Sequence, residues 1–247
     1  MTAQLRAELL KQRSTRTNLG LLVALLALVL LVDLLHGLAL PVADAGQRST
    51  QLKEIYGRAG MLGSLFAALL GAMSITAEFR YGTIRPTLLA TPRRGRIVLA
   101  KVLASVLLGI AFGLIATAVA AGAGSAILAG RGVTIQLDGG DFAVLLAGSA
   151  AAGALWAAIG VGLGAVVRNQ VPTLVGLCAW LLFVEGLLVG DAGSLGDIGR
   201  YLPGALATAA SGQVAEVAPG LAVALLAIYA VAAAAAGRIA MLRRDVA

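Results

Sequence analysis

Histidine and cysteine, which build most catalytic and metal centres, are almost missing from this 247-residue chain: His36 and Cys178 stand alone. A single cysteine excludes an internal disulfide and a multi-cysteine metal site. A single histidine removes most zinc and Ser–His–Asp chemistry. Cys178 lies in an apolar run, where packing is its expected role. Lysine is scarce too. Lys11, Lys53 and Lys101 follow Leu10, Leu52 and Ala100, whereas a P-loop sets glycine directly before its lysine. The chain therefore does not bind ATP through that motif. A Gly-x-Ser-x-Gly elbow is absent, and Gly122-Ala123-Gly124-Ser125-Ala126 only approaches it. Neither a carboxylate pair on one helix face nor a histidine cluster is present to support proteolysis within the membrane.

Charge is the next shortage. Charged residues make up 13% of the chain and aromatics 4%, against roughly 25% charged in soluble domains. The net charge of +7 and pI of about 10.3 could suggest nucleic acid. The positives, however, cluster at the ends of apolar runs, and aromatics for stacking on bases are few. Membrane topology accounts for them, and no nucleic-acid partner is expected.

What the chain has in excess is apolar length, with a mean hydropathy of +0.94. Runs at 19–40, 58–77, 102–129, 142–167, 171–190 and 220–236 are each long enough to cross a bilayer. They predict an all-α membrane protein of six transmembrane helices forming one domain. Residues 1–18 form a basic leader in which Leu5 and Leu9, four apart, predict a weakly amphipathic helix on the membrane surface. Pro41–Gly57 reads as a polar loop, Gly130–Asp141 as a turn-rich loop, and Arg168-Asn169-Gln170 as a tight basic turn. Residues 191–219 mix Asp191, Asp197, Arg200 and Glu216 with the apolar stretch Tyr201–Ala207. That mixture predicts short helices dipping into the outer interface between spans five and six. With both termini cytoplasmic, fourteen of the nineteen basic residues fall inside, and seven of the twelve acids fall outside. The positive-inside rule favours this orientation over its inverse. Gly109–Gly113, Gly160–Gly164 and Gly186–Gly190 each form a GxxxG that allows close helix approach in lipid.

Residues 76–101 concentrate charge as no other stretch does. Arg80, Arg85, Arg93, Arg94, Arg96 and Lys101 stand against Glu78 alone. Thr91-Pro92 is a helix start, a capping hydroxyl followed by proline. Yet Arg93, Arg94 and Arg96 follow in the first turn, where the helix dipole disfavours positive charge. Helix stability does not explain them; lipid phosphates or an acidic partner does.

The segment Glu78-Phe79-Arg80-Tyr81-Gly82-Thr83-Ile84-Arg85-Pro86-Thr87-Leu88-Leu89-Ala90-Thr91-Pro92-Arg93-Arg94 resembles the first cytoplasmic loop of type-2 ABC exporter permeases. The six spans, the dip between spans five and six and the Arg243-Arg244-Asp245-Val246 ending are similar to that family as well. The resemblance implies that residues 78–101 fit a cleft on a separate ATPase subunit. Glu78, Phe79, Arg80, Gly82, Thr83, Arg85, Thr91, Pro92, Arg93 and Arg94 then form or brace the coupling element. It further implies a second permease subunit, identical or related, and location in a bacterial cytoplasmic membrane. ATP and Mg would bind the ATPase, with no cofactor or metal on this chain.

Three ionisable residues fall within the spans: Asp33, His36 and Glu185. Charges at membrane depth are costly and point to function. Asp33 and Glu185 each lie 14 residues along their spans, roughly 21 Å into a core of about 30 Å. Both carboxylates are expected to face protein or a wet cavity. Glu185 is the candidate for an outer substrate vestibule, and Asp33 for a brace to the dip helices through Arg200. The competing reading is an ion- or proton-coupled secondary transporter using Asp33 or Glu185. No broken helices or inverted repeat are visible to support it.

Overall fold

The computed structural model describes residues 2–84, 94–189 and 196–243, and these residues contain helices but no strand. The leader forms α1 (Thr2–Ser14) and the first span α2 (Arg16–Ala39). The second and third spans are α3 (Arg58–Arg80) and α4 (Arg94–Gly130). The fourth is α5 (Gly139–Val167). The fifth, α6, consists of Gln170–Ala179, a π-helical turn Trp180–Val184 and Glu185–Val189. A 3₁₀ turn Gly196–Tyr201 leads into the short α7 (Pro203–Ala210), and α8 (Pro219–Arg243) closes the fold. Among the described residues, six helices are long and apolar enough to cross a membrane, as the sequence predicts.

Helix α5 is the axis of the bundle, packed against α3, α4 and α8. Its residues are small, and the approach is backbone to backbone. A Cβ at Gly113 would fall on the Ser149 carbonyl, one at Gly109 on Gly153, and one at Gly160 on Ala68. Two of the three GxxxG motifs are therefore seams of α5, Gly109–Gly113 bringing α4 onto it and its own Gly160–Gly164 admitting α3. The third is not: Gly186 has open space beside it. Without water to expel between helices, van der Waals packing of this kind holds a membrane bundle together. Trp156 of α5, 2% exposed, anchors the largest apolar cluster together with Leu206, Leu226 and Leu177.

Helix α2 lies outside this core. It turns one stripe to α3 and α4 (Leu25, Val29, Asp33 and Gly37, each four apart) and leaves Leu19, Val23 and Leu35 exposed. Its C-terminal end is capped by Arg131, whose guanidinium donates to the carbonyls of Gly37 and Leu40, the latter at 2.7 Å. Such a cation satisfies carbonyls that no later turn can reach.

The local structure adds to or departs from the sequence pattern at four places. Pro41–Gly57 is not a loop: Val42–Ala45 and Arg48–Thr50 are helical, and a π turn Gln51–Tyr56 runs on into α3. Burial overrides polarity here. Gln51 donates to the carbonyls of Ala45 and Thr134 at 2.9 Å and accepts from Gln136 N at 2.8 Å, while Ile55 and Tyr56 fill the core. Helix α4 is already formed at Arg94, in keeping with a helix start just before it, so residues 94–101 are helical ahead of the predicted span; its 37 residues extend about 55 Å, well beyond a core of about 30 Å. The π turn in α6 was not visible as a pattern. Finally, α1 buries Glu8 and Gln12 and leaves Leu10 exposed, so it docks on protein by a polar face.

Candidate functional site

The polar face of α1 leads to a four-charge cluster. Lys101, near the start of α4, is 1% exposed although it carries a charge. Its ammonium donates three hydrogen bonds: to Glu8 Oε2 of α1 at 2.9 Å, to Glu78 Oε1 of α3 at 2.8 Å, and to the Ser74 carbonyl at 2.9 Å. Lys11, one turn after Glu8, donates to Glu8 Oε1 at 3.1 Å and Glu78 Oε1 at 3.0 Å. Two lysines thus balance two glutamates. Beside them Gln12 donates to Ser105 Oγ at 3.0 Å, and Asn18 to the Gln12 carbonyl at 2.7 Å. A buried lysine ammonium is tolerated only when its donors are paired, and here all three are. Lys11 is held above its ordinary lysine value: burial opposes the charge, and Glu78 and then Glu8 outweigh that.

Glu78 is the first of three consecutive residues fixed to different elements. Phe79 lies under the Arg168 guanidinium, 5.4 Å from its ring centre, and Arg168 also donates to the Ala240 carbonyl of α8 at 2.7 Å. Arg80 donates to Gln170 Oε1 at the start of α6, 3.3 Å away. Arg168 itself has φ 58°, a left-handed conformation that turns the chain sharply between α5 and α6. Helix α3 then stops at Tyr81, and Gly82 at φ 69° takes the left-handed position after the cap, where glycine carries no Cβ penalty. Thr83 follows on the surface, and Ile84 is buried with Ile75, Val98, Ala165 and Met241. Of the other expected coupling residues, Arg85, Thr91, Pro92 and Arg93 lie outside the described residues, and Arg94 is placed only as the first residue of α4.

At the opposite end of the bundle, Glu185 follows the π turn of α6 and is 5% exposed. Its carboxylate accepts from Gly204 N at 2.9 Å, Ala205 N at 2.6 Å and Trp180 Nε1 at 2.9 Å. Pro203 opens α7 and Leu202 offers no side-chain cap, so Glu185 reaches across to satisfy the free N–H groups of that first turn. It also lines a cavity of about 500 Å³ with Leu181, Thr208, Val214 and Val217. Asp33 faces protein, 1% exposed, with Oδ2 unpartnered. The expected brace from Asp33 to Arg200 is absent. Arg200 faces Asp197 at 3.8 Å and stacks on Tyr201, because α2 packs on α3 and α4 whereas α7 packs on α8, α5 and α3.

The family model described as "ABC-2 family transporter protein" matches residues 5–195, well over half of the chain. The chain belongs to the ABC-2 transporter family. No curated protein matches it. It is thus an ABC transporter permease and a multi-pass membrane protein, of a family whose members are generally non-catalytic membrane subunits associated with an ATPase.

In this permease the base of the loop joins Glu78, Phe79, Arg80 and Gly82, expected in the coupling element, to Lys101 of the same charged stretch and to Glu8, Lys11 and Gln12, for which no site role was expected. The missed ones had a signal. Glu8 is the one acid of the basic leader, and Glu8, Lys11 and Gln12 share a helix face at i, i+3 and i+4.

Replacing Lys101 by Met leaves two buried carboxylates short of a counter-charge, and we expect a loss of about 3–5 kcal/mol or failure to fold. Lys11→Met, at a half-exposed position, should cost under about 1 kcal/mol. Thermal unfolding of the purified permease checks both. Because the Lys11 value is raised in the folded chain, its contribution is constant below the ordinary value of 10.5 and is lost only as pH rises beyond it. A sizeable loss of the Lys11 contribution near neutrality would contradict the cluster.

Proposed function

We propose that the chain is the permease subunit of an ATP-driven exporter in a bacterial cytoplasmic membrane. It works as a pair of permeases, identical or related, coupled through residues 78–101 to separate ATPase subunits that bind ATP and Mg. The observation that carries this reading is the three-way anchoring of the loop base. Glu78 is tied to α1 and α4, Phe79 to Arg168 and so to α8, and Arg80 to α6. A push on the basic loop is therefore delivered to four elements at once and is not absorbed in a slack linker. The length of α4 supports the same reading, since its first turns project beyond the membrane core and move as one rod with the third span.

Both termini are cytoplasmic in this account, and the Gly196–Tyr201 and Pro203–Ala210 helices lie at the outer interface. An apolar, aromatic-poor interior favours lipids, hydrophobic drugs or peptides over sugars stacked on rings. A cysteine placed at Gly140 should react with an impermeant thiol reagent from outside in intact cells. Reaction from the inside alone would reverse the topology.

The ion-coupled alternative has less support. Glu185 is engaged by three donors as the cap of α7, which is the role of a structural carboxylate. The decisive experiment uses the permease purified with its ATPase and reconstituted in vesicles. Replacing Arg80 and Arg85 together by Ala should lower transport per ATP hydrolysed about tenfold, a coupling loss of ~1.4 kcal/mol, with the chain still inserted. Unchanged coupling in a well-expressed double variant overturns the assignment.

A further inference from the structure

Beside the charge cluster lies a cleft of about 400 Å³, walled by α1, the end of α3, Lys101 of α4 and the first residues of α2 and α6. Glu78 and Gln12 both line it, and each holds one oxygen with no donor: Glu78 Oε2 and Gln12 Oε1. The two residues are 7% and 5% exposed. Buried acceptors are ordinarily paired, and orphans call for a partner. The buried lysine cannot supply one. Lys101 has spent its three N–H groups on Glu8, Glu78 and the Ser74 carbonyl. Lys11 makes two bonds and keeps a third N–H, with its side chain 51% exposed.

The complementary ligand follows from this count. It brings several N–H donors on one compact cation, for the two orphan oxygens, and an anionic acceptor for the spare N–H of Lys11. The four charges of the cluster cancel, and a ligand carrying one charge of each sign keeps that balance. A zwitterion of primary ammonium and phosphate meets each requirement. The cleft is also lined by Thr17 and Asn18 of α2 and by Gln170 of α6, and the next residues along each helix, Leu19 and Val171, are 64% and 65% exposed. Those apolar faces offer a bed for acyl chains directly beside the polar cleft.

We propose that this cleft seats the headgroup of an inner-leaflet phospholipid carrying a primary ammonium, as in phosphatidylethanolamine. The ammonium donates to Glu78 Oε2 and Gln12 Oε1, and the phosphate accepts from Lys11. Lys11, the half-exposed member of the cluster, is the side chain that yields to admit it. Assignment to the inner leaflet rests on the topology proposed above. Hydrogen bonding, not charge, is the discriminating property, because a choline headgroup carries the same charge and has no N–H to donate.

The test titrates the detergent-purified permease with short-chain phosphatidylethanolamine, short-chain phosphatidylcholine and free phosphoethanolamine, reading bound ligand by native mass spectrometry. The ethanolamine lipid should bind about tenfold tighter than the choline lipid, as two hydrogen bonds to otherwise orphaned acceptors imply. Gln12→Met should cut that preference to roughly threefold, since one acceptor is gone. Glu78→Gln should reduce it likewise; if that variant does not fold, Gln12→Met alone decides. Equal binding of the two lipids, a preference surviving in every folded variant, or free phosphoethanolamine binding as tightly as the lipid would each overturn the proposal. The assay contains no ATPase and no sidedness, so its failure leaves the permease reading intact. Reversed labelling at Gly140 would move the lipid to the other leaflet without changing these affinities.

Discussion

A lysine ammonium sealed in protein must find an acceptor for every N–H it carries, and Lys101 meets that constraint only if three separate pieces of chain come together. Glu8 arrives on α1, Glu78 and the Ser74 carbonyl on α3, and Lys101 itself on α4. Desolvation makes a partly assembled version costly, because an uncompensated buried charge is worse than none. The leader helix is therefore locked to the bundle by electrostatics at the end where the basic loop emerges. Apolar packing could not specify the same placement, since lipid tails solvate leucine as well as a neighbouring helix does.

Within the spans the constraint is different. There the helices meet by shape, and small residues decide which faces touch. Gly109 and Gly113 bring α4 onto α5, and Gly160 brings α3 onto the same helix. The opposite end returns to polar logic, with Glu185 supplying the cap that the first turn of α7 lacks in its own sequence. The bundle is thus shape-packed in the middle and hydrogen-bonded at both ends. In the proposed coupling, a loop anchored at three successive residues would transmit displacement into such a body because little between its parts is free to slip.

Much of this was legible from composition and periodicity. Six apolar runs gave six helices because length and hydropathy alone set a membrane span. The tight turn at Arg168 was legible too, whereas the capping box of Asp138 and Asp141 starts its helix inside the stretch that reads as a loop. What could not be read is what tertiary burial decides. The helical character of 48–57 depends on Gln51 meeting carbonyls on distant segments, Thr134 among them. The role of Glu185 depends on N–H groups about twenty residues later in the chain. The partnership of Glu8 with Lys101 spans 93 positions, and no local pattern encodes a contact at that separation. Asp33 faces protein on the four-residue stripe of α2, as the cost of a carboxylate at that depth predicts, whereas the expected brace to Arg200 is not made.

The central claim is that α1 and the loop base form one unit through Lys101, and amide hydrogen exchange tests it directly. In the wild-type permease, residues 4–14 and 74–80 should share strong protection. In a folded Lys101→Met variant both segments should lose protection together, with α5 unchanged. Retention of wild-type protection across the leader in that variant would show that the buried lysine does not hold it, and would contradict the account.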